Sequence, residues 1–163
     1  IDDISKTLQV EYKRYQQLLT EDAIAKANPV KGKEIFQRTC AACHMMHGKG
    51  GEIGPELTGS NRTNTTYLLN NILNPSGDVQ DDYKLVVITA QDGRTYSGNI
   101  IAENDKNLTL RVVGQDPIII NKSQILNRDV SEKSMMPEGL LNNLSDEEVL
   151  DLIAYLKKLE PTV

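Results

Sequence analysis

Two cysteines and a histidine fall within five residues, Cys40-Ala41-Ala42-Cys43-His44. Cys-x-x-Cys-His is the attachment signature of c-type haem. The two thiols form thioethers to the porphyrin vinyl groups, and the imidazole beside them lies under the iron as proximal ligand. The spacing has a mechanical basis. Residues three apart in a helical turn face one side, and the next residue is close enough to turn its ring onto the metal. On this reading most of the remaining chain wraps, ligates or insulates one haem.

Three other readings use the same residues. A thioredoxin-like redox motif needs its cysteines at a strand-to-helix junction, whereas the stretch before Cys40 reads as helix. Zinc held by Cys40, Cys43, His44 and His47 would gather four tetrahedral ligands within eight residues, while finger sites separate two ligand pairs with a spacer. A disulfide between the cysteines leaves His44 unexplained and closes a loop too short to restrict the unfolded chain much. Haem attachment is the reading that uses all three residues at the spacing they have.

The bulk properties agree with one haem-stabilised core. At 163 residues the chain buries one good core, or a core and a small subdomain. The formal charge of −5 argues against nucleic acid as a partner. Aromatic residues make up 4% of the chain, with no Trp and one Phe, and a porphyrin would supply the missing apolar bulk. No apolar run approaches membrane-spanning length. No signal peptide is evident and the chain begins at Ile1 rather than Met, so the expectation is a mature processed form or an excised domain.

Residues 1–27 carry Ile1, Ile4, Leu8, Tyr15 and Leu18 at three-to-four spacing, which predicts an amphipathic helix docked on the haem domain. Asp2 or Asp3 is the candidate cap. Asn28-Pro29 breaks this pattern and starts a second helix, about Val30 to Ala42, with Gly32 and Phe36 on one face. A glycine-rich loop follows His44 and ends in Gly54-Pro55-Glu56-Leu57. The Pro55 carbonyl is a candidate acceptor for the His44 Nδ1–H, a bond that would orient the ring. Arg62 either holds a haem propionate or is a solvated surface arginine. A short helix starts at Thr65 or Thr66 and stops at Asn74-Pro75.

Residues 82–130 change period. Tyr83–Ala90, Thr95–Ala102, Leu108–Val112, Ile118–Ile120 and Ile125–Val130 read as five short strands in up-and-down order, with Asp92-Gly93 as a hairpin turn and Gly98 as a bend. This predicts a small antiparallel β meander or an SH3/Sm-like barrel, inserted as a covering lobe. The last element is a helix opened by the capping box Ser145/Glu148, with Val149, Leu152, Ile153, Leu156 and Leu159 on its apolar stripe and Tyr155 alongside.

In this order, the helix with Gly32 and Phe36, Cys-x-x-Cys-His, Gly-Pro-x-Leu, Met136-Pro137 and a capped helix with Tyr155 resemble class I cytochrome c. The resemblance implies that the first and last helices of the haem domain cross at Gly32, Phe36 and Tyr155. It also implies that Pro55 supports His44 and that Met136 is the distal ligand. A narrower similarity, over roughly residues 30–160, is to the Pirellula/Verrucomicrobium-type haem-binding domain. It rests on Gly32–Cys43, Gly51–Ser60, Tyr67-Leu68-Leu69, Asn74-Pro75-Ser76, Asp92-Gly93-Arg94 and Ser134–Leu141. Members are often the C-terminal module of large exported proteins, some with dehydrogenase-like propellers. That implies a periplasmic or otherwise extracytoplasmic protein.

The expected architecture is a mainly α cytochrome c fold with an inserted β subdomain, α+β overall. Residues 1–28 form an N-terminal helical extension, 29–81 and 131–163 the haem domain, and 82–130 the β subdomain. The expected cofactor is one haem c, covalent through Cys40 and Cys43, with iron ligated by His44 and Met136. Pro55, Leu57 and Arg62 complete the cofactor-binding set. Met45, Met46 and His47 are tethered to the proximal side, which leaves Met135 as the competitor of Met136, and the Met-Pro pattern favours Met136. The expected function is electron transfer without catalysis, to a redox protein partner or a fused dehydrogenase domain. The alternative is a haem-based redox or gas sensor with a displaceable distal ligand.

Overall fold

The computed structural model describes residues 3–77 and 79–161, with side chains from residue 6 onward. Ile1, Ile4 and the candidate caps Asp2 and Asp3 therefore lie outside the described side chains. The expected N-terminal helix forms as two, α1 (Asp3–Leu18) and α2 (Glu21–Lys26). The break falls at Thr20, whose backbone is extended and whose hydroxyl accepts the Ala23 N–H at 3.1 Å. A short polar side chain that can satisfy a free helix-end donor favours starting a new helix over continuing the old one. Tyr15 and Leu19 are buried, and Leu8, Tyr12 and Leu18 pack beside them on the helical core.

Helix α3 (Pro29–Thr39) starts where Asn28 accepts the Val30 and Lys31 N–H groups at 3.0 and 3.3 Å. It stops three residues earlier than the sequence suggested, because Cys40 leaves the helix and the chain turns through Cys43. A two-residue ribbon follows, β1 (Met45–Met46) against β2 (Lys49–Gly50). Helix α4 (Thr65–Leu73) is capped by Asn64, which accepts the Tyr67 N–H at 3.1 Å, and ends at Asn74-Pro75. Helix α5 (Asp146–Lys157) carries the full capping box of Ser145 and Glu148.

Helices α3 and α5 cross at Gly32. A Cβ there would run into the Asp151 carbonyl, so only glycine permits the approach. One turn on, the Phe36 and Tyr155 rings meet with centroids 5.4 Å apart and planes tilted by 52°, a favourable geometry for aromatic pairs. Asp151 is buried at this crossing and accepts the Asn28 N–H at 2.8 Å. The crossing anchors a core that includes Ile35, Leu69, Leu141, Val149, Leu152 and Ile153.

The β segment forms a five-stranded antiparallel sheet: β3 (Lys84–Ala90), β4 (Thr95–Glu103), β5 (Asn107–Arg111), β6 (Ile118–Asn121) and β7 (Ile125–Ser134). Its spatial order is β6-β5-β4-β3-β7. Strand β4 pairs with β3 as far as Gly98 and with β5 from Asn99 onward. The Gly98 Cα lies against the Arg111 carbonyl, leaving no room for a side chain. Val86, Ile88, Leu108, Leu110 and Ile120 make a second buried cluster under this sheet.

The expected mainly α fold is overturned. Among the described residues five α-helices accompany a five-stranded sheet that has its own core, so the architecture is mixed rather than helical with a minor insert. Strands β3 to β6 do run up and down as antiparallel neighbours, and the last strand alone leaves that order. After β6 the chain passes through a 3-10 turn (Lys122–Gln124) and crosses to the far edge, where β7 pairs with β3. Alternation identifies strands but carries no information on which strand each one pairs with.

Candidate haem-attachment site

Backbone hydrogen bonds fold the glycine-rich loop back onto the cysteine motif. The Cys43 and His44 N–H groups both donate to the Cys40 carbonyl, at 3.1 and 2.9 Å, keeping the motif in one tight turn. The Gly51 N–H donates to Ala41 O at 2.7 Å, Gly54 N–H to Cys43 O at 2.7 Å, and Leu57 N–H to Met45 O at 2.8 Å. These bonds lay residues 51–57 alongside 41–45.

The loop then holds the His44 ring. Nδ1 lies 2.8 Å from the Pro55 carbonyl oxygen. A carbonyl can only accept, so Nδ1 carries the proton and Nε2 keeps its lone pair for a metal. Gly54 lies flush on the ring: a Cβ there would be 2.6 Å from Cε1 and 2.8 Å from Nδ1. The imidazole is thus oriented by one bond and backed by one glycine.

Both cysteines are free and half-buried. Burial pushes the Cys40 thiol up to about 12, with Cys43 adding to the rise, and burial also raises Cys43. A thiol held protonated this firmly is a poor redox nucleophile, and the motif follows helix α3 rather than a strand. Both facts count against the thioredoxin-like reading. Among the described residues no three or more His, Cys, Asp and Glu side chains converge as a metal cluster, which counts against zinc.

The other candidates separate. Met46 is 3% exposed within the helical core, so it is a packing residue. His47 has a left-handed backbone (φ 52°), and its N–H donates to Thr58 Oγ1 at 2.7 Å. Thr58 in turn donates to Glu56 from both its hydroxyl and its N–H, and these bonds hold the Glu56 carboxyl below its ordinary range. Leu57 packs on the helical core. Met135 and Met136 are both half-buried, and the Met136 N–H donates to Ser134 Oγ at 3.0 Å.

Arg62 is not a surface residue. It is 2% exposed and donates to three backbone carbonyls: Thr58 at 3.3 and 3.0 Å, Leu156 at 2.8 Å and Lys158 at 2.6 Å. It ties the turn before α4 to the C-terminal end of α5, where free carbonyls and the helix dipole favour a cation. These contacts give it a structural role and supply no support for a propionate partner.

Sequence reasoning missed two further contacts around the loops. Arg111 of β5 pairs with Glu52 at 3.2 Å, joining the sheet to the loop that backs His44. Ser76 Oγ accepts the Ser134 N–H at 3.1 Å, joining the α4 exit to the end of β7. The one sequence sign was Ser134 two residues before Met136, the spacing of a serine turn.

The chemistry open to this arrangement is narrow. Two thiols in one tight turn and an imidazole oriented through Nδ1 fit covalent haem, with Gly54 set against the ring where a side chain would not fit. The comparison with known families agrees: the Cytochrome c family model matches residues 29–160, and the chain belongs to that family. The family binds haem c covalently through two cysteines, a pattern that Cys40 and Cys43 fit, and its general role is haem-based electron transfer. Membership of that family points to an electron carrier. No curated protein matches it. Among the described residues no helix is long and apolar enough to cross a membrane.

Proposed function

We propose that this chain is a single-haem cytochrome c that passes one electron at a time, with His44 and Met136 as axial ligands. The observation that carries the reading is the His44 ring held at Nδ1 by Pro55 and backed by Gly54, directly after two free cysteines. Bound haem supplies the redox chemistry, taking up and releasing one electron at its iron. The protein supplies the rest. Cys40 and Cys43 anchor the porphyrin, and His44 offers Nε2. Pro55 fixes the ring through Nδ1. Met136 offers a thioether, and a Met/His pair sets a higher potential than two histidines. Leu57, packed on the helical core, would complete the cofactor-binding set.

The remaining expectations are proposals of the same reading. The Gly51–Ser60 and Ser134–Leu141 runs support membership of the Pirellula/Verrucomicrobium type. The haem domain comprises 29–81 and 131–163, the β lobe 82–130, and 1–28 is an extension. The protein works outside the cytoplasm, with a redox protein or a fused dehydrogenase as its partner.

The ligand assignment is tested by the optical spectrum of the ferric holoprotein. The charge-transfer band of a thioether–iron(III) pair is expected in wild type and in Met135→Leu, and is lost in Met136→Leu. The reverse pattern would give the site to Met135. Rapid, tight carbon monoxide binding by the reduced wild type would favour the sensor reading instead.

A further inference from the structure

We propose that the β lobe positions the distal ligand, and that Ser134, held by Ser76, is the residue through which it acts. The inference rests on the Met136 reading. Strand β7 does not simply end before the methionine loop. Its pairing with β3 runs Val86↔Val130 and then Lys84↔Ser134, so residues 131–133 of β7 face the single residue Leu85. This is a bulge, a device that re-aims the chain at the end of a sheet. It is pinned in place: Lys84 Nζ lies 3.2 Å from Glu132 in the bulge and 3.1 Å from Asp81. The Lys84 carbonyl is held from the other side by Asn99 Nδ2 at 2.9 Å, and Asn99 is 2% exposed at the bend of β4.

Ser134 therefore leaves a braced strand end. Its N–H is bound by Ser76 Oγ, and its own Oγ binds the Met136 N–H. Both bonds are part-buried, where a backbone donor without a partner is costly. The two serines fix where the backbone of residue 136 starts relative to the sheet on one side and the α4 exit on the other. A thioether is a weak neutral ligand on a flexible side chain, so its retention on the metal depends on how well its backbone is held. Ser134 and Ser76 are positioning residues: they act on the metal site through Met136.

The test uses holoprotein variants Ser134→Ala, Ser76→Ala and Ser134→Thr, with covalent haem content and far-ultraviolet circular dichroism checked against wild type. Carbon monoxide is the probe, because it enters the reduced site only when the sixth ligand leaves. Ser134→Ala and Ser76→Ala are expected to bind it about tenfold faster, the factor corresponding to one lost hydrogen bond of about 1.4 kcal/mol. Both are expected to weaken the ferric charge-transfer band, and Ser134→Thr is expected to restore both readouts. Wild-type rates and band intensity in the two alanine variants would overturn the proposal while leaving the Met136 assignment intact. A band that survives Met136→Leu would overturn the assignment, and the proposal with it.

Discussion

Gly54 is the residue at which the smallest change reaches the site. One added carbon meets the imidazole face 2.6 Å from Cε1, with the ring unable to retreat while Nδ1 is bound to Pro55. Gly54→Ala is expected to destabilise the holoprotein by about 1–3 kcal/mol, as overpacking does, measured by denaturant unfolding followed at the haem band. Arg62 is the second sensitive residue. Arg62→Met keeps the length of the side chain and leaves the Thr58, Leu156 and Lys158 carbonyls without their donor. The expected loss is about 3 kcal/mol, read from the midpoint of urea unfolding. The two residues were legible in the sequence to different degrees. Pro55 lies eleven residues past His44, and its role follows from a carbonyl's capacity to accept, whereas the contact of Gly54 with the ring had no sequence sign. Arg62 reaches carbonyls 94 and 96 residues away, and long charged side chains are so seldom buried that local pattern points the wrong way.

Among the elements, the helices were the easier to read. The Ser145/Glu148 capping box, the Asn28-Pro29 start and the Asn74-Pro75 stop are local events, with the determining residues within four positions of one another. The α3–α5 crossing was legible through family resemblance at Gly32, Phe36 and Tyr155. The path of β7 was not, since its place beside β3 depends on long-range packing. An ionic cluster stitches that path together: Glu103 at the end of β4 binds Arg128 of β7 at 2.9 Å and Lys122 of the preceding turn at 2.6 Å. Arg128, and then Lys122, hold the Glu103 carboxyl down to about 2. A carboxyl whose folded pKa lies below its ordinary 4.5 contributes stability that is fully present above 4.5 and fades as pH falls towards 2. Glu103→Gln is therefore expected to be less stable than wild type at neutral pH. The gap should close on acidification through that window, as measured by urea unfolding at a series of pH values.

The whole molecule has two cores, one helical and one under the sheet, joined by Arg111–Glu52 near the proximal loop and Ser76–Ser134 near the distal one. The low aromatic content fits a helical core designed to be completed by a porphyrin. Low aromatic content and the cysteine motif pointed to the cofactor without revealing that the sheet would be a full partner in the fold. The motif is a local pattern of five residues, whereas the sheet's own core is assembled from strands whose pairing no local pattern records. One covalent haem cycling by one electron is checked by a spectroelectrochemical titration of the holoprotein. A single reversible one-electron wave is expected, at a potential that falls in Met136→Leu. Two waves, or a wave unchanged by that substitution, would contradict it.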